Sequence, residues 1–115
     1  MSAGRFDPRI ATMCRTSEAL KRELRDLGAD AGLLLVYEQR AWQSATFSGT
    51  RHRLTYAFDG AIAVERGEQL IDLLPYHEFE IPKQLVADAA VVAVEQRADP
   101  PRLVVDLELS LLDEA

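Results

Sequence analysis

The residues best suited to chemistry are Arg51-His52-Arg53, with Tyr56 a few positions further along. An unperturbed imidazole titrates near pH ~6.5, so His52 could act as a general base or contact a ligand. Trp42 and Tyr56 would then line the pocket around it. The alternative is a histidine at the margin of a sheet, solvated or bonded to a backbone group. The first candidate site is therefore a ligand pocket formed by Trp42, His52 and Tyr56.

The same stretch does not predict nucleic-acid binding. A platform for single strands needs its rings and its cations on one face. Here Arg51 and Arg53 alternate with Leu54, Tyr56 and Phe58, so the two kinds of side chain fall on opposite faces of a strand. The net charge of −6 also disfavours contact with phosphates.

Metal, cofactor and covalent chemistry find little support. His52 and His77 are the two histidines, and a catalytic zinc site would need both of them plus a carboxylate. Cys14 is the single cysteine, which excludes an internal disulfide and a zinc site built on cysteines. Neither a phosphate-binding glycine loop nor a nucleophile-elbow motif is present. We expect no cofactor and no metal, and we do not expect an enzyme.

Charge is distributed unevenly along the chain. Residues 1–58 hold nine basic and six acidic side chains, a net of +3, whereas residues 59–115 hold four and thirteen, a net of −9. Asp106 and Glu108 share one face of the last predicted strand, and Glu95 would stand across from them on its hairpin partner. Like charges on neighbouring strands destabilise a sheet unless a positive group covers them.

This acidic face is the second candidate site, an interaction surface. One hypothesis is that arginines from the N-terminal half of a second subunit, Arg51 and Arg53 among them, dock on Glu95, Asp106 and Glu108. The alternative is a solvated face whose carboxylates are paired within the chain by Arg97 or Arg102.

Length and composition indicate an ordinary globular protein. A chain of 115 residues, 48% hydrophobic and 28% charged, fits one domain over 1–115, with flexible ends at 1–6 and 113–115. No apolar run approaches the ~20 residues of a membrane span. The N-terminus lacks a signal-peptide pattern. These features predict a soluble cytoplasmic protein without membrane contact, and the arginine-rich, alanine-rich composition suggests a bacterial source.

Two helices are predicted. Asp7-Pro8 is a typical helix start, and Gly28 is a typical stop. Apolar positions recur between them every three or four residues, with one polar interruption: Ile10, Met13, Ser17, Leu20, Leu24 and Leu27. Asp59-Gly60 would cap the second helix and Pro75 would end it. The buried side of this second helix would hold Ile62, Ala63, Leu70, Ile71 and Leu74. Gly67 either weakens the helix or allows it to pack closely on the sheet.

The remaining segments predict strands. The continuous apolar runs, 33–37 and 89–94, are typical of strands covered on both faces. The other candidate strands are 42–47, 52–58 and 103–111, and an edge strand or loop is expected over 76–83. Turns are predicted at 38–41, at 48–50 and at the Pro100-Pro101 tip.

These elements predict an α+β two-layer sandwich. The sheet would be mostly antiparallel with about five strands, in the order α-β-β-β-α-β-β, and both helices would cover one face. The helix–strand–strand order occurs twice, which hints at an internal repeat. The function that we expect is non-catalytic association, with a protein partner or with itself as a homodimer. The alternative is a small-molecule-binding or weakly catalytic domain that uses the Trp42, His52 and Tyr56 pocket.

Overall fold

A computed structural model describes residues 8–114. The predicted cap at Asp7 and the predicted flexible end at 1–6 lie outside the described residues. The elements are α1 (Pro8–Leu27), β1 (Leu33–Gln43), β2 (Ser48–Asp59), α2 (Ala61–Leu73), β3 (Gln84–Ala98) and β4 (Pro101–Asp113). Short 3₁₀ turns cover Ala29–Ala31 and Leu74–Tyr76. The α+β class and the antiparallel sheet are confirmed.

The four described strands form one sheet in the order β1-β2-β4-β3, with every neighbouring pair antiparallel. The central strands, β2 and β4, pair from Gly49↔Leu112 to Asp59↔Arg102. Each half of the chain supplies one helix and then one hairpin, so the recurring helix–strand–strand order is present in the topology. The hydrophobic core lies between the helices and one face of the sheet, and Leu24 and Leu70 enter it from α1 and α2.

The prediction of five strands was wrong because two candidate segments are one strand. The expected turn at 38–41 is part of β1, where Gln39 pairs with His52. The chain reverses instead at 44–47, where the Ser44 amide donates to the Phe47 carbonyl (2.7 Å). Polar residues in β1 therefore reflect a solvated strand, since an edge strand tolerates them on its open side.

The two apolar runs lie in β1 and β3, the edge strands of the sheet, and the prediction that both of their faces are covered was wrong. Leu33 in β1 is 64% exposed. Val92 and Val94 in β3 are each about half exposed. The central strands are β2 and β4, whose predicted alternation between buried and solvated side chains is confirmed.

The helices have their predicted bounds, and two details of α2 differ from the prediction. Gly28 ends α1 at φ 139°, a backbone region that glycine adopts readily. Ile62 does not face the core, because it is 81% exposed, and the buried positions of α2 are Val64, Gly67 and Leu70. Gly60, not Asp59, is the N-cap of α2.

The remaining segments settle two further expectations. The 76–83 segment is a loop with a single bridge, Ile81↔Gln84, and Glu23 of α1 fixes it by accepting from His77 Nε2 (2.8 Å) and from the Glu80 amide (2.9 Å). Asp113, expected in a flexible end, is the last residue of β4 and accepts a hydrogen bond from Ser48 Oγ (3.0 Å). Within residues 8–114, neither helix has the length and apolar character that a membrane crossing requires.

Gly67→Ala tests the close approach of α2 to the sheet. An ideal Cβ at this position would lie 2.7 Å from the Phe58 ring and 2.8 Å from Leu103. Overpacking costs about 1–3 kcal/mol, whereas alanine gains about 1 kcal/mol of helix propensity. We expect a net loss of about 1 kcal/mol in the free energy of unfolding, measured by urea denaturation. Glu65→Ala, an exposed change in the same helix, is the control; a Gly67→Ala protein that is more stable would contradict the packing argument.

Candidate interaction surface

The side chains of the sheet divide between two faces. On β2, His52, Leu54, Tyr56 and Phe58 point toward the helices and are buried. The opposite face of the sheet, which we name the open face, has no helix over it among residues 8–114. The register assigns these positions to the open face: Leu33, Val36, Glu38, Arg40 and Trp42 of β1; Gly49, Arg51, Arg53, Thr55 and Ala57 of β2; Val104, Asp106, Glu108, Ser110 and Leu112 of β4; and Leu85, Asp88, Ala90, Ala93 and Glu95 of β3.

The centre of the open face is charged. Arg53 Nη2 donates to Asp106 Oδ2 (3.4 Å), and Thr55 Oγ1 donates to Asp106 Oδ1 (2.6 Å). Arg51 Nε lies 3.5 Å from Glu108 Oε1. Since the arginines come from β2 and the carboxylates from β4, the central strands hold opposite charges side by side.

This arrangement differs from the hypothesis that only a second subunit brings Arg51 and Arg53 to the acidic face. Four of the five predicted surface residues meet at the centre of one face, and the arginines beside Asp106 and Glu108 belong to the same chain. Glu95 lies on the same face but pairs with Val104, one row beyond Asp106. Arg102, the alternative partner for these acids, contacts Asp59 instead (3.1 Å).

Apolar side chains occupy both ends of the open face. At one end, Leu33 and Val36 are exposed, together with Leu35, the extra residue of a β1 bulge. At the other end, Trp42 stands opposite Gly49 in the register. A Cβ built on Gly49 would lie 3.0 Å from the Trp42 ring, so the indole packs against the bare backbone.

The predicted ligand pocket is not assembled. Trp42 lies on the open face, whereas His52 and Tyr56 lie on the face that the helices cover. Burial raises the pKa of Tyr56 to about 12, so its hydroxyl keeps its proton at neutral pH. The described residues thus place the three side chains in two separate environments.

His52 is instead the centre of a buried polar cluster. The ring is fully buried, with Nδ1 2.7 Å from the Tyr37 hydroxyl and Nε2 2.8 Å from Thr50 Oγ1. A neutral imidazole has one donor and one acceptor nitrogen, so one hydroxyl donates to the ring and the other accepts from it. Burial lowers the pKa of His52 to about 4 and raises the pKa of Tyr37. Both ring nitrogens of His52 thus have hydrogen-bond partners, and the cluster is part of the core.

Sequence reasoning missed the neighbours of His52. Tyr37 and Gln39 share its face because β1 is one continuous strand beyond its bulge. The assumed turn at 38–41 hid this parity. Gln39 Oε1 is buried and has no hydrogen-bond partner among the described residues.

The other candidate groups gather no metal-binding set. Within residues 8–114, no three His, Cys, Asp or Glu side chains are grouped as metal ligands would be. Cys14 is exposed on α1.

Comparison with protein-family models, with curated proteins and with solved structures finds no match to this chain.

The burial of His52 predicts a pH-dependent stability. Its pKa of about 4 in the folded protein lies below the ordinary ~6.5 of the unfolded chain. Between these two values the unfolded chain binds the extra proton, so the free energy of unfolding falls as the pH is lowered from 7 toward 4. The loss approaches about 3 kcal/mol by linkage. Urea denaturation at pH 7.0, 6.0 and 5.0 measures this slope.

His52→Gln should flatten the slope, since glutamine does not titrate. Leu54→Val, a buried change on the same strand, is the control: its loss of stability relative to the native chain should be the same at each pH. An unchanged slope in His52→Gln would show that another group carries the dependence.

Proposed function

We propose that this chain is a non-catalytic association module that forms a homodimer through the open face. The observation that carries the proposal is the exposed apolar end formed by Leu33, Leu35 and Val36 on the face opposite the helices. Apolar side chains gathered on one uncovered sheet face are typical of a surface that another protein covers.

The dimensions of the face support a dimer. β2 and β4 pair over 11 positions, and four strands lie side by side. Standard strand spacings then give a face of about 35 by 19 Å, or about 700 Å² per subunit. Standard stable interfaces bury about 600–1,000 Å² on each partner, and a face of about 700 Å² lies within that range.

A second copy fits this face because both signs of charge are on it. A C2 interface uses the same patch on both subunits and therefore has to be self-complementary. The open face meets that condition, with arginines on β2, carboxylates on β4 and apolar groups at both ends. A partner of a single charge would match only half of it.

Val36→Glu tests the open face. A carboxylate at the apolar end would have to be desolvated in the interface, so we expect the dimer to dissociate at least tenfold more readily, roughly the effect of 1.4 kcal/mol. Analytical ultracentrifugation over a concentration series measures the dissociation constant. Ile62→Glu is the matched control, because it places the same charge at an exposed apolar position on the helical layer.

A chain that is monomeric at all concentrations would refute the homodimer. Equal weakening by Val36→Glu and Ile62→Glu would refute the open face as the contact surface.

The single tryptophan gives a second readout. Trp42 lies on the open face and is partly exposed, with its Nε1 buried, so a partner should shield the accessible part of its indole ring from solvent. We expect acrylamide to quench Trp42 fluorescence more strongly after dilution into the monomer range than in the concentrated protein. In Val36→Glu the stronger quenching should already be present at high concentration. Quenching that does not depend on concentration would contradict the proposal.

A further inference from the structure

We infer that the two subunits are related by a twofold axis parallel to β2 and β4, which sets the arginines of each β2 against the carboxylates of the partner's β4. The inference rests on the proposed function, since it requires a dimer through the open face. It adds the orientation of the partner, which the existence of a dimer does not determine.

The argument begins with the rows in which the sheet register places open-face side chains. Five rows cross the open face from β1 to β3. They are Leu33, Ala57, Val104, Glu95; Val36, Thr55, Asp106, Ala93; Glu38, Arg53, Glu108, Ala90; Arg40, Arg51, Ser110, Asp88; and Trp42, Gly49, Leu112, Leu85.

An axis parallel to the strands lays each row over the same row of the partner in reverse order. Arg53 then faces the Glu108 of the second copy, and Glu108 faces its Arg53. Arg40 faces the second copy's Asp88, and Trp42 faces its Leu85. Opposite charges therefore meet in the middle of the interface, and apolar groups meet at the end that holds Trp42. At the opposite end, Val36 faces the second copy's Ala93, and Leu33 faces its Glu95.

Among arrangements that keep the strands of the two sheets aligned, the alternative has its axis parallel to the sheet plane and perpendicular to the strands. It lays β2 over β2 and β4 over β4, so arginines meet arginines and carboxylates meet carboxylates. Like charges set against each other across an interface cost several kcal/mol, which disfavours this arrangement.

The contacts within the chain leave capacity for this pairing. A guanidinium carries five N–H donors. The contacts of Arg51 and Arg53 with Glu108 and Asp106 engage one nitrogen of each arginine among the described residues, at 3.5 and 3.4 Å. The two arginines are more than half exposed, so their remaining donors are accessible to the second copy's carboxylates.

Basic and acidic side chains are not completely separated on the open face. Glu38 lies on β1 among the arginines. In the strand-parallel arrangement it faces the second copy's Ala90, so it opposes no like charge. Arg102 lies on β4 and is paired with Asp59 of its own chain.

The experiment mixes the native chain with a charge-reversed chain. The variant carries Arg51→Glu, Arg53→Glu, Asp106→Arg and Glu108→Arg, which keeps both intrachain pairs with reversed signs. In the strand-parallel arrangement it forms its own homodimer, whereas a mixed dimer sets arginine against arginine. Native mass spectrometry after joint dilution and reconcentration counts the two homodimers and the heterodimer, and an added tag separates their masses.

We expect both homodimers, with the heterodimer at least tenfold below its statistical share of half, roughly what one clash of this kind imposes. A heterodimer in excess would establish the perpendicular axis and overturn the inference while leaving the proposed function intact. A statistical mixture, or a variant that fails to dimerise beside a dimeric native chain, would also overturn it. A native chain that stays monomeric would overturn the proposed function itself.

Discussion

Along β2 and β4, consecutive side chains point alternately toward the helices and away from them, and the antiparallel register holds Leu54 beside Leu107 and Arg53 beside Glu108. A shift by one residue in either strand would exchange the two faces and bury the charges beneath the helices. The apolar row fixes the register through burial, and the charged row is then aligned without further constraint. The core and the candidate surface are thus two consequences of one pairing.

The charged centre and the apolar ends of the open face would have different roles in the proposed dimer. Exposed ion pairs such as Arg51 with Glu108 contribute little to the stability of the monomer, because water screens them. At an interface the same groups specify orientation, since a misplaced partner would bring like charges together. In the proposed dimer, the apolar ends would supply the favourable burial that the charged centre lacks. The apolar ends would thus contribute affinity, and the charged centre would determine the orientation of the partner.

On the covered face, the polar cluster around His52 shows why a histidine between two arginines is not by itself a site. Its two ring nitrogens are both engaged, by Tyr37 and Thr50, and burial keeps the ring neutral at physiological pH. The contact of His52 with Tyr37 joins β2 to β1 from within the core and would be lost if the strands slipped, whereas Thr50 lies on β2 beside His52. Toward the other end of β2, Gly67 lets α2 approach the Phe58 ring closely.

The sequence by itself determined the elements whose signals are local. Helical spacing and glycine or proline boundaries identified α1 and α2, and strict alternation identified both faces of β4 and the opposite parities of Arg53 and His52. Tertiary structure decided what depends on pairing. An apolar run such as 33–37 has the same composition in a central strand and at an edge, and only the strand order shows which faces remain uncovered. The position of Trp42 was also decided by pairing. Whether Trp42 shares a face with His52 depends on β1 continuing through 38–41. That segment is extended because it pairs with β2, and its residue types alone do not show this.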